Sequence, residues 1–66
     1  MEIVLRHERL KRAWTQQFVA KKIGVSREAV QMLETGSIKP SYDVLLKLLD
    51  LFGYNDPREL FAERKD

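Results

Sequence analysis

The chain has 66 residues, of which 44% are hydrophobic and 33% are charged, a globular composition without low-complexity tracts. A chain of this length forms one domain at most, here expected over residues 1–66, and it buries only about 60% of the surface that it exposes when unfolded. Cysteine is absent and there is one histidine, which excludes a disulfide framework and a metal site built from thiolates or from several imidazoles. We therefore expect a fold held by packing, with no cofactor and no bound metal.

The charge is distributed unevenly along the chain. The formal net charge is +2, but residues 1–40 carry eight Lys and Arg against four Asp and Glu, whereas residues 41–66 carry four against six. The two parts therefore have net charges of +4 and −2. A basic end indicates a polyanion as partner, although so small a surplus is weak evidence by itself.

Targeting and membrane signals are not found in the sequence. No apolar segment approaches the ~18 residues that a membrane span requires. The stretch MEIVLRHERLKR at the start lacks the basic-then-apolar order of a secretory signal. We expect a cytoplasmic protein without membrane contact.

Apolar residues recur at helical spacing, and no window has the alternation typical of a strand, so we expect an all-α fold of five helices. Helix one is predicted over residues 2–12, with Glu8 pointing outward. Its apolar stripe consists of Ile3, Leu5, Leu10 and Ala13. Arg9 falls inside this stripe and needs a carboxylate from elsewhere in the fold, because a buried unpaired guanidinium is costly.

Two short amphipathic segments follow, separated by one glycine. Thr15 is the expected N-cap of helix two, residues 16–23, and Ser26 is the expected N-cap of helix three, residues 27–35. Gly24 ends helix two, because glycine adopts the left-handed backbone conformation without a Cβ clash. Neither segment can bury its apolar face alone, so the two are expected to pack together.

The last third of the chain predicts one long and one short helix. Ser41 or Asp43 opens helix four, which ends at Phe52 and is apolar over more than half of its circumference. The stretch DPRE at residues 56–59 combines a capping Asp, a Pro at the first helical position and a Glu at the third, and it predicts a short helix five. Residues 62–66 are expected to be frayed.

The two faces of helix three differ in chemistry. One side of the helical wheel carries Ala29, Val30 and Leu33. The other side carries Arg27, Glu28, Gln31, Met32 and Thr35. Side-chain chemistry alone favours a merely solvated face. Two helices joined by a tight glycine turn change that balance, because they match the helix-turn-helix, whose second helix enters the DNA major groove.

The pattern LxxxRLKRAWTQxxxAxxxGVSxxxVxxLExG in residues 5–36 resembles the phage repressor and Cro (Xre-type) helix-turn-helix family. The matching positions are Thr15, Gln16, Ala20, Gly24, Val25, Ser26, Val30, Leu33, Glu34 and Gly36. The resemblance is clearest over residues 5–53. It implies a compact five-helix, lambda-repressor-like domain with the helix-turn-helix at helices two and three.

The resemblance also implies which residues touch DNA. The positions of helix three that face bases in this family correspond to Arg27, Glu28, Gln31 and Met32. Phosphate contacts come from the start of helix two and from the loop after helix three, which here means Thr15, Gln16, Thr35, Lys39, Ser41 and Tyr42.

Two further expectations concern contacts within and between chains. Glu34 borders the core side of helix three, which makes it the expected partner of Arg9, as the resemblance also implies. The apolar arc of helix four is wider than one small core can cover, which favours a homodimer through the ends of helices four and five. The dimer candidates are Leu46, Leu51, Leu60 and Phe61. The alternative is that Leu60, Phe61 and the tail cover this arc within one chain.

A sequence-specific transcriptional regulator is the function that these observations favour. We expect a repressor that binds a pseudo-palindromic operator in double-stranded DNA as a homodimer, with polymerase or a co-encoded protein as the further partner to consider. The alternative on the same scaffold is an antitoxin or adaptor that mainly binds protein. An enzyme is not expected, because the carboxylates are spread over polar helix faces and the Ser and Thr residues serve mostly as caps.

Overall fold

Five helices and one pair of two-residue strands make up the computed structural model, which describes residues 2–64. The elements in chain order are β1 (Glu2–Ile3), α1 (Val4–Lys11), α2 (Gln16–Ile23), α3 (Arg27–Thr35), α4 (Tyr42–Phe52), α5 (Pro57–Leu60) and β2 (Glu63–Arg64). The predicted all-α, five-helix class is confirmed. No helix in the described range is long and apolar enough to cross a membrane.

The four predicted caps are present, and a side-chain oxygen of each accepts a backbone N–H from the first turn of its helix. These caps are Thr15, Ser26, Ser41 and Asp56. Of the two alternatives for α4, Ser41 is therefore the cap. Helix α1 has no side-chain cap. Instead, the N–H of Val4 donates to the carbonyl of Ala62 at 2.9 Å. A segment distant in sequence therefore supplies the acceptor for the first N–H of the helix.

The strand pair corrects two expectations from the sequence. Glu2 pairs with Arg64 and Ile3 pairs with Glu63 in antiparallel register. Helix α1 therefore begins at Val4 rather than at Glu2, and residues 63 and 64 are paired rather than frayed; residues 65 and 66 lie outside the described range. A pattern search cannot detect so short a pair, because two residues do not establish an alternation.

Nine buried apolar side chains form the core of the described residues. They are Leu5, Val19, Ala20, Ile23, Val30, Leu33, Leu48, Phe52 and Leu60. Leu60 is fully buried in this core. It cannot contribute to a dimer surface, so its place among the dimer candidates was wrong and the alternative of burial within one chain holds for this residue.

The buried face of α1 is rotated relative to the predicted stripe. Leu10 is 47% exposed, whereas Glu8 is buried together with Leu5 and Arg9. At 100° per residue, Glu8 and Arg9 lie about 60° and 40° to either side of Leu5, but Leu10 lies about 140° away. The expectation that Glu8 points outward was wrong, because two polar side chains with partners displaced an apolar one from the core side.

Arg9 and Glu34 form the predicted ion pair between α1 and α3. Arg9 Nε donates to Glu34 Oε2 at 2.6 Å, and Arg9 Nη2 donates to Glu34 Oε1 at 3.1 Å. A third donor, Nη1, reaches the carbonyl of Trp14 at 2.9 Å. Both side chains are at least nine-tenths buried, so this bidentate geometry compensates two charges that are removed from water.

Glu8 is the acceptor of a second polar cluster, which joins α1 to the end of α4. Its carboxylate accepts from Arg12 and, at 3.0 Å, from the hydroxyl of Tyr54. Arg12 also donates to the carbonyl of Phe52 at 3.2 Å. The hydrogen bond from Arg12 is the main cause that lowers the pKa of Glu8 from 4.5 to about 2, against the opposing effect of burial. Burial, followed by the hydrogen bond to Glu8, raises the pKa of Tyr54.

Replacing Glu34 with glutamine is expected to lower the stability of the fold strongly. The substitution leaves the buried guanidinium of Arg9 without a countercharge, which typically costs about 3–5 kcal/mol, a large part of the total stability of a small domain. Urea and thermal unfolding of the wild type, Glu34→Gln and the control Glu28→Gln measure the effect. Glu28 is an exposed carboxylate on the same helix, so its replacement should change the free energy of unfolding by no more than about 0.5 kcal/mol. An unchanged melting temperature in Glu34→Gln would contradict the assigned role.

Acid should destabilise the wild type more steeply than the variant Glu8→Gln. The pKa of Glu8 is lower in the folded chain than in the unfolded chain, so its ionised form stabilises the fold above pH 4.5, and this contribution is lost as the pH falls towards about 2. Measurements of the free energy of unfolding between these pH values give its slope against pH for each protein. The control Asp50→Asn removes an exposed carboxylate of α4 and should keep the wild-type slope. Equal slopes in wild type and Glu8→Gln would refute the coupling.

Candidate nucleic-acid interface

A tight turn of three residues joins α2 to α3. Gly24 has a φ of 76° and ends α2 in the left-handed conformation, which other residues adopt only with strain. The N–H groups of Gly24 and Val25 both donate to the carbonyl of Ala20, at 2.8 and 3.0 Å. The hydroxyl of Ser26 then accepts from the N–H of Ala29 at 3.1 Å and starts α3. The turn therefore sets the direction of α3 through local backbone bonds.

Helix α3 has one buried and one exposed face, as the sequence predicts. Val30, Leu33 and Glu34 are buried against the rest of the fold. The exposed residues are Arg27, Glu28, Gln31, Met32 and Thr35. All four base-contact candidates thus lie on the solvent side of one helix, where hydrogen-bond donors, acceptors and an apolar side chain are adjacent.

The side chain of Arg27 is oriented by two neighbours although it is 48% exposed. Its Nη1 donates to Gln16 Oε1 at 3.3 Å, and its Nη2 lies 3.7 Å from Glu28 Oε2. Gln16 stands at the start of α2 and also donates from Nε2 to Glu34 Oε1 at 3.1 Å. The first residues of α2 and α3 are therefore brought into direct contact.

The structure places two more phosphate candidates at the ends of α2 and α3. The Thr15 hydroxyl accepts from the N–H of Phe18 at 3.0 Å and remains exposed. The Thr35 hydroxyl donates to the carbonyl of Met32 at 3.1 Å and lies 2.8 Å from the hydroxyl of Ser37. Thr15 has a free O–H for an outside acceptor, whereas the hydroxyl hydrogen of Thr35 is already engaged.

The remaining phosphate candidates lie between α3 and the first turn of α4. Lys39 is exposed in this loop, and no ion pair to it is formed within the described range. The Ser41 hydroxyl accepts from the N–H of Val44 at 3.3 Å. Tyr42 is 75% exposed. Lys39 thus offers a full positive charge, and Ser41 and Tyr42 each offer an O–H.

The dimer candidates differ in accessibility. Leu46 is 47% exposed, and Leu51 and Phe61 are half-buried. An apolar groove of about 440 Å³ adjoins Phe61. Its lining comes from β1, the end of α3, the loop after it, α4 and α5: Ile3, Leu33, Gly36, Ile38, Lys39, Pro40, Leu45, Pro57, Arg58 and Phe61.

Within residues 2–64, His, Asp and Glu side chains do not gather in any group of three that could hold a metal ion. Every fully buried side-chain nitrogen or oxygen atom of this range has a hydrogen-bond partner. The polar side chains on the solvent side of α3 and in the loop that follows it are among those exposed to solvent.

Two side-chain contacts near the exposed face of α3 were not predicted from the sequence. The hydrogen bonds from Gln16 to Glu34 and from Arg27 to Gln16 connect the interior of the fold to the exposed face of α3. The spacing within each helix carries no signal for them, because they form between the start of α2 and both ends of α3. The sequence indicated only that α2 and α3 are joined by a turn of three residues and therefore lie close together.

The chain is similar to a known protein family and to a known protein. The helix-turn-helix family matches the chain over residues 5–60. A protein of Archaeoglobus fulgidus that bears the name uncharacterized HTH-type transcriptional regulator is 38% identical to the chain over 52 residues, which are 79% of this chain and 74% of that protein. The matched range contains α1 except for Val4, all of α2 to α5, and the tight turn between α2 and α3. The chain therefore belongs to the Cro/C1-type helix-turn-helix family of DNA-binding domains.

Proposed function

We propose that this protein is a sequence-specific transcriptional repressor that binds a pseudo-palindromic operator by placing α3 in the major groove. The observation that supports the proposal most is the exposed face of α3, which presents a fixed guanidinium, an amide, a carboxylate and a thioether side by side. A major groove accepts one α-helix, and each base pair displays a distinct set of donors, acceptors and methyl groups there. This mixture of side chains therefore favours base contacts over the alternative of a merely solvated face.

Each base-contact candidate has a chemically matched target. Arg27 can donate two hydrogen bonds to guanine, and Gln31 can pair with the donor and acceptor of adenine. Met32, which is 40% exposed, can contact a thymine methyl group. Glu28 can accept from the amino group of cytosine, and it disfavours bases that present only acceptors.

Phosphate contacts would hold α3 in register. Thr15 and Gln16 lie at the N-terminus of α2, where unpaired backbone N–H groups favour an anion. Lys39 and Tyr42 lie after α3, so the two groups of candidates bracket the helix along the chain. Contacts of this kind position a protein on duplex DNA and carry no sequence information directly.

A protein-binding role as antitoxin or adaptor is the second candidate function. The net charge of +2 favours it, because a nearly neutral domain attracts DNA weakly. Salt-sensitive binding to duplex DNA would support the repressor. Tight binding to a co-encoded protein, without affinity for DNA, would support the alternative.

We also propose that the protein acts as a homodimer through the ends of α4 and α5. Leu46 supports this proposal most, because it exposes a large apolar side chain on α4, whereas most other apolar residues of that helix pack against the core. The half-buried Leu51 and Phe61 are the remaining candidates. Two copies related by a two-fold axis would present two α3 helices to two half-sites of an operator.

The dimer proposal predicts the mass in solution. Sedimentation at micromolar concentration should give about twice the chain mass of 7.8 kDa, and Leu46→Glu should give the single-chain mass, because a charge in an apolar interface is costly. Leu10→Glu is the matched control, since Leu10 has the same exposure of 47% on a different helix, and it should remain dimeric. A wild type that is a monomer both alone and on DNA would overturn the dimer and the pseudo-palindromic operator.

Loss of a base contact and loss of a phosphate contact should have different effects on DNA affinity and base discrimination. Arg27→Ala should cost about 1–3 kcal/mol on the preferred operator and relax discrimination at one or two base positions, with a smaller effect on random DNA. Lys39→Ala should weaken binding to all sequences alike and flatten the slope of log affinity against log salt by about one.

The measurement uses an operator obtained by in vitro selection, its single-base variants and random duplexes across a salt series. Equal losses on every sequence in Arg27→Ala, with the sequence preference intact, would show that α3 does not read bases through Arg27.

A further inference from the structure

The apolar groove beside Phe61 has walls from both ends of the chain. Its volume is about 440 Å³, and its lining residues, all within the described range, come from β1, α3, the following loop, α4, α5 and the residue after it. Ile3 of β1 packs directly against the end of α3, since a Cβ placed on Gly36 would lie 3.4 Å from Ile3 Cδ1. The groove therefore adjoins the C-terminal end of the helix that carries the candidate base contacts.

The lining of the groove combines an apolar surface with two cations. Eight of its ten residues are aliphatic, aromatic, proline or glycine, and the other two are Lys39 and Arg58. No carboxylate and no neutral polar side chain is among these ten. Pockets of about 300–1,000 Å³ that are mostly apolar and have a few polar groups are typical of sites for small organic molecules. The size and lining of the groove therefore favour a small molecule with an apolar body.

The two cations differ in how far their charges are compensated. Arg58 Nη2 donates to Asp56 Oδ2 at 3.0 Å, and Arg58 Nε donates to the same carboxylate. Lys39 is exposed, and its ammonium forms no ion pair or hydrogen bond with another residue of the described range. An anionic group of a ligand can therefore pair with Lys39 without displacing a partner there, whereas a cationic group would be repelled.

We propose that the groove binds a small amphipathic carboxylate, with its apolar body in the groove and its anionic head against Lys39. The consequence for DNA binding rests on the proposed function, in which Lys39 is a phosphate contact. A carboxylate paired with Lys39 neutralises the charge that a DNA phosphate would otherwise meet. The ligand therefore lowers the affinity for all DNA sequences alike, because phosphate contacts carry no sequence information directly. Such a ligand acts as an inducer, since it releases the protein from its operator.

Three ligands with the same ten-carbon body test the head group: decanoate, decanol and decylammonium, each used below the concentration at which it forms micelles. Their affinities for the free protein are measured by NMR titration. Lys39→Met keeps an apolar stem and removes the charge. Because an exposed ion pair contributes little, this variant should weaken decanoate binding by about 2- to 5-fold, leave decanol unchanged and strengthen decylammonium. Equal effects on all three ligands would overturn the pairing with Lys39.

The position of the site is tested with Ile38→Glu. Ile38 lines the groove and is 40% exposed, so a carboxylate there can stay solvated in the free protein while it repels that of the ligand. Decanoate should bind at least about 10-fold more weakly to this variant. Leu10→Glu is the matched control, because it changes an exposed apolar side chain outside the groove, and it should bind decanoate like the wild type. Full binding by Ile38→Glu, or shifts confined to residues outside the groove, would overturn the site.

A second copy of the chain is the competing occupant, because Phe61 lines the groove and is also a dimer candidate. Leu46 lies outside the lining, so Leu46→Glu removes a dimer candidate without altering the groove. Equal decanoate affinities of the wild type and Leu46→Glu would support a groove that is open to a small molecule. Binding by Leu46→Glu alone would show that a second copy covers the groove, and it would overturn the inference.

DNA binding tests the regulatory consequence. Saturating decanoate, compared with sodium acetate at the same concentration, should weaken binding to the operator and to random duplexes by about the same factor as Lys39→Ala. It should also flatten the slope of log affinity against log salt by about one. In Lys39→Ala, decanoate should have no further effect on DNA binding. An effect that persists in this variant, or one confined to the operator, would overturn the competition for Lys39.

Failure of this inference and failure of the proposed function give different results. If decanoate does not bind the free protein while Arg27→Ala and Lys39→Ala change DNA binding as expected, this inference alone fails. Decanoate binding in the groove of a protein that has no affinity for duplex DNA would support the site, and it would overturn the proposed function together with the regulation.

Discussion

The ion pair between Arg9 and Glu34 is the constraint on which the rest of the structure depends. It removes two charges from water and satisfies them with two direct hydrogen bonds, while the third donor of Arg9 reaches the carbonyl of Trp14. Because one partner is on α1 and the other on α3, the pair fixes the helix that carries the candidate base contacts against the helix that starts the fold. Apolar packing alone restricts the relative orientation of α1 and α3 only weakly. A bidentate ion pair is directional and restricts this orientation more strongly. A buried ion pair is weak evidence for added stability, so its value for this fold lies in geometric definition.

A second polar cluster does the same one residue earlier on α1. Glu8 accepts from Arg12 and Tyr54, and Arg12 reaches the carbonyl of Phe52, so the turn after α4 is tied to the first helix. Arg12 also lies over the rings of Trp14 and Phe52 at 5.6 and 5.2 Å, within the range of a cation–π contact. A chain of this size has a small core, with nine buried apolar side chains among the described residues. The polar contacts add directional restraints on the orientation of α1 relative to α4.

Local features of the fold were predictable, whereas features that depend on distant residues were not. Ser26, Gly24 and the other caps act within three or four residues, so their types and spacing sufficed to place four helices and the turn. Glu8 is buried because Tyr54 stands 46 positions later, and no pattern within α1 contains that information. The orientation of Gln16 was missed for the same reason, since its partners belong to another helix. The pairing of Arg9 with Glu34 was predictable although it is distant, because a buried charge requires a partner and few carboxylates border the core.

The exposed residues of α3 are not equally independent of the fold. Gln31 forms no side-chain hydrogen bond within the described range, and Met32 contributes only its carbonyl, to Thr35 and Ser37. Substitutions at these two positions would remove no side-chain hydrogen bond of the described residues. Arg27 differs, because Gln16 offers it an acceptor and Gln16 is itself oriented by Glu34. An acceptor at that point suits donor side chains and disfavours carboxylates, so the interior of the protein restricts which residues can stand at the first position of α3. The interior of the fold is therefore connected to the first exposed residue of α3 by two hydrogen bonds.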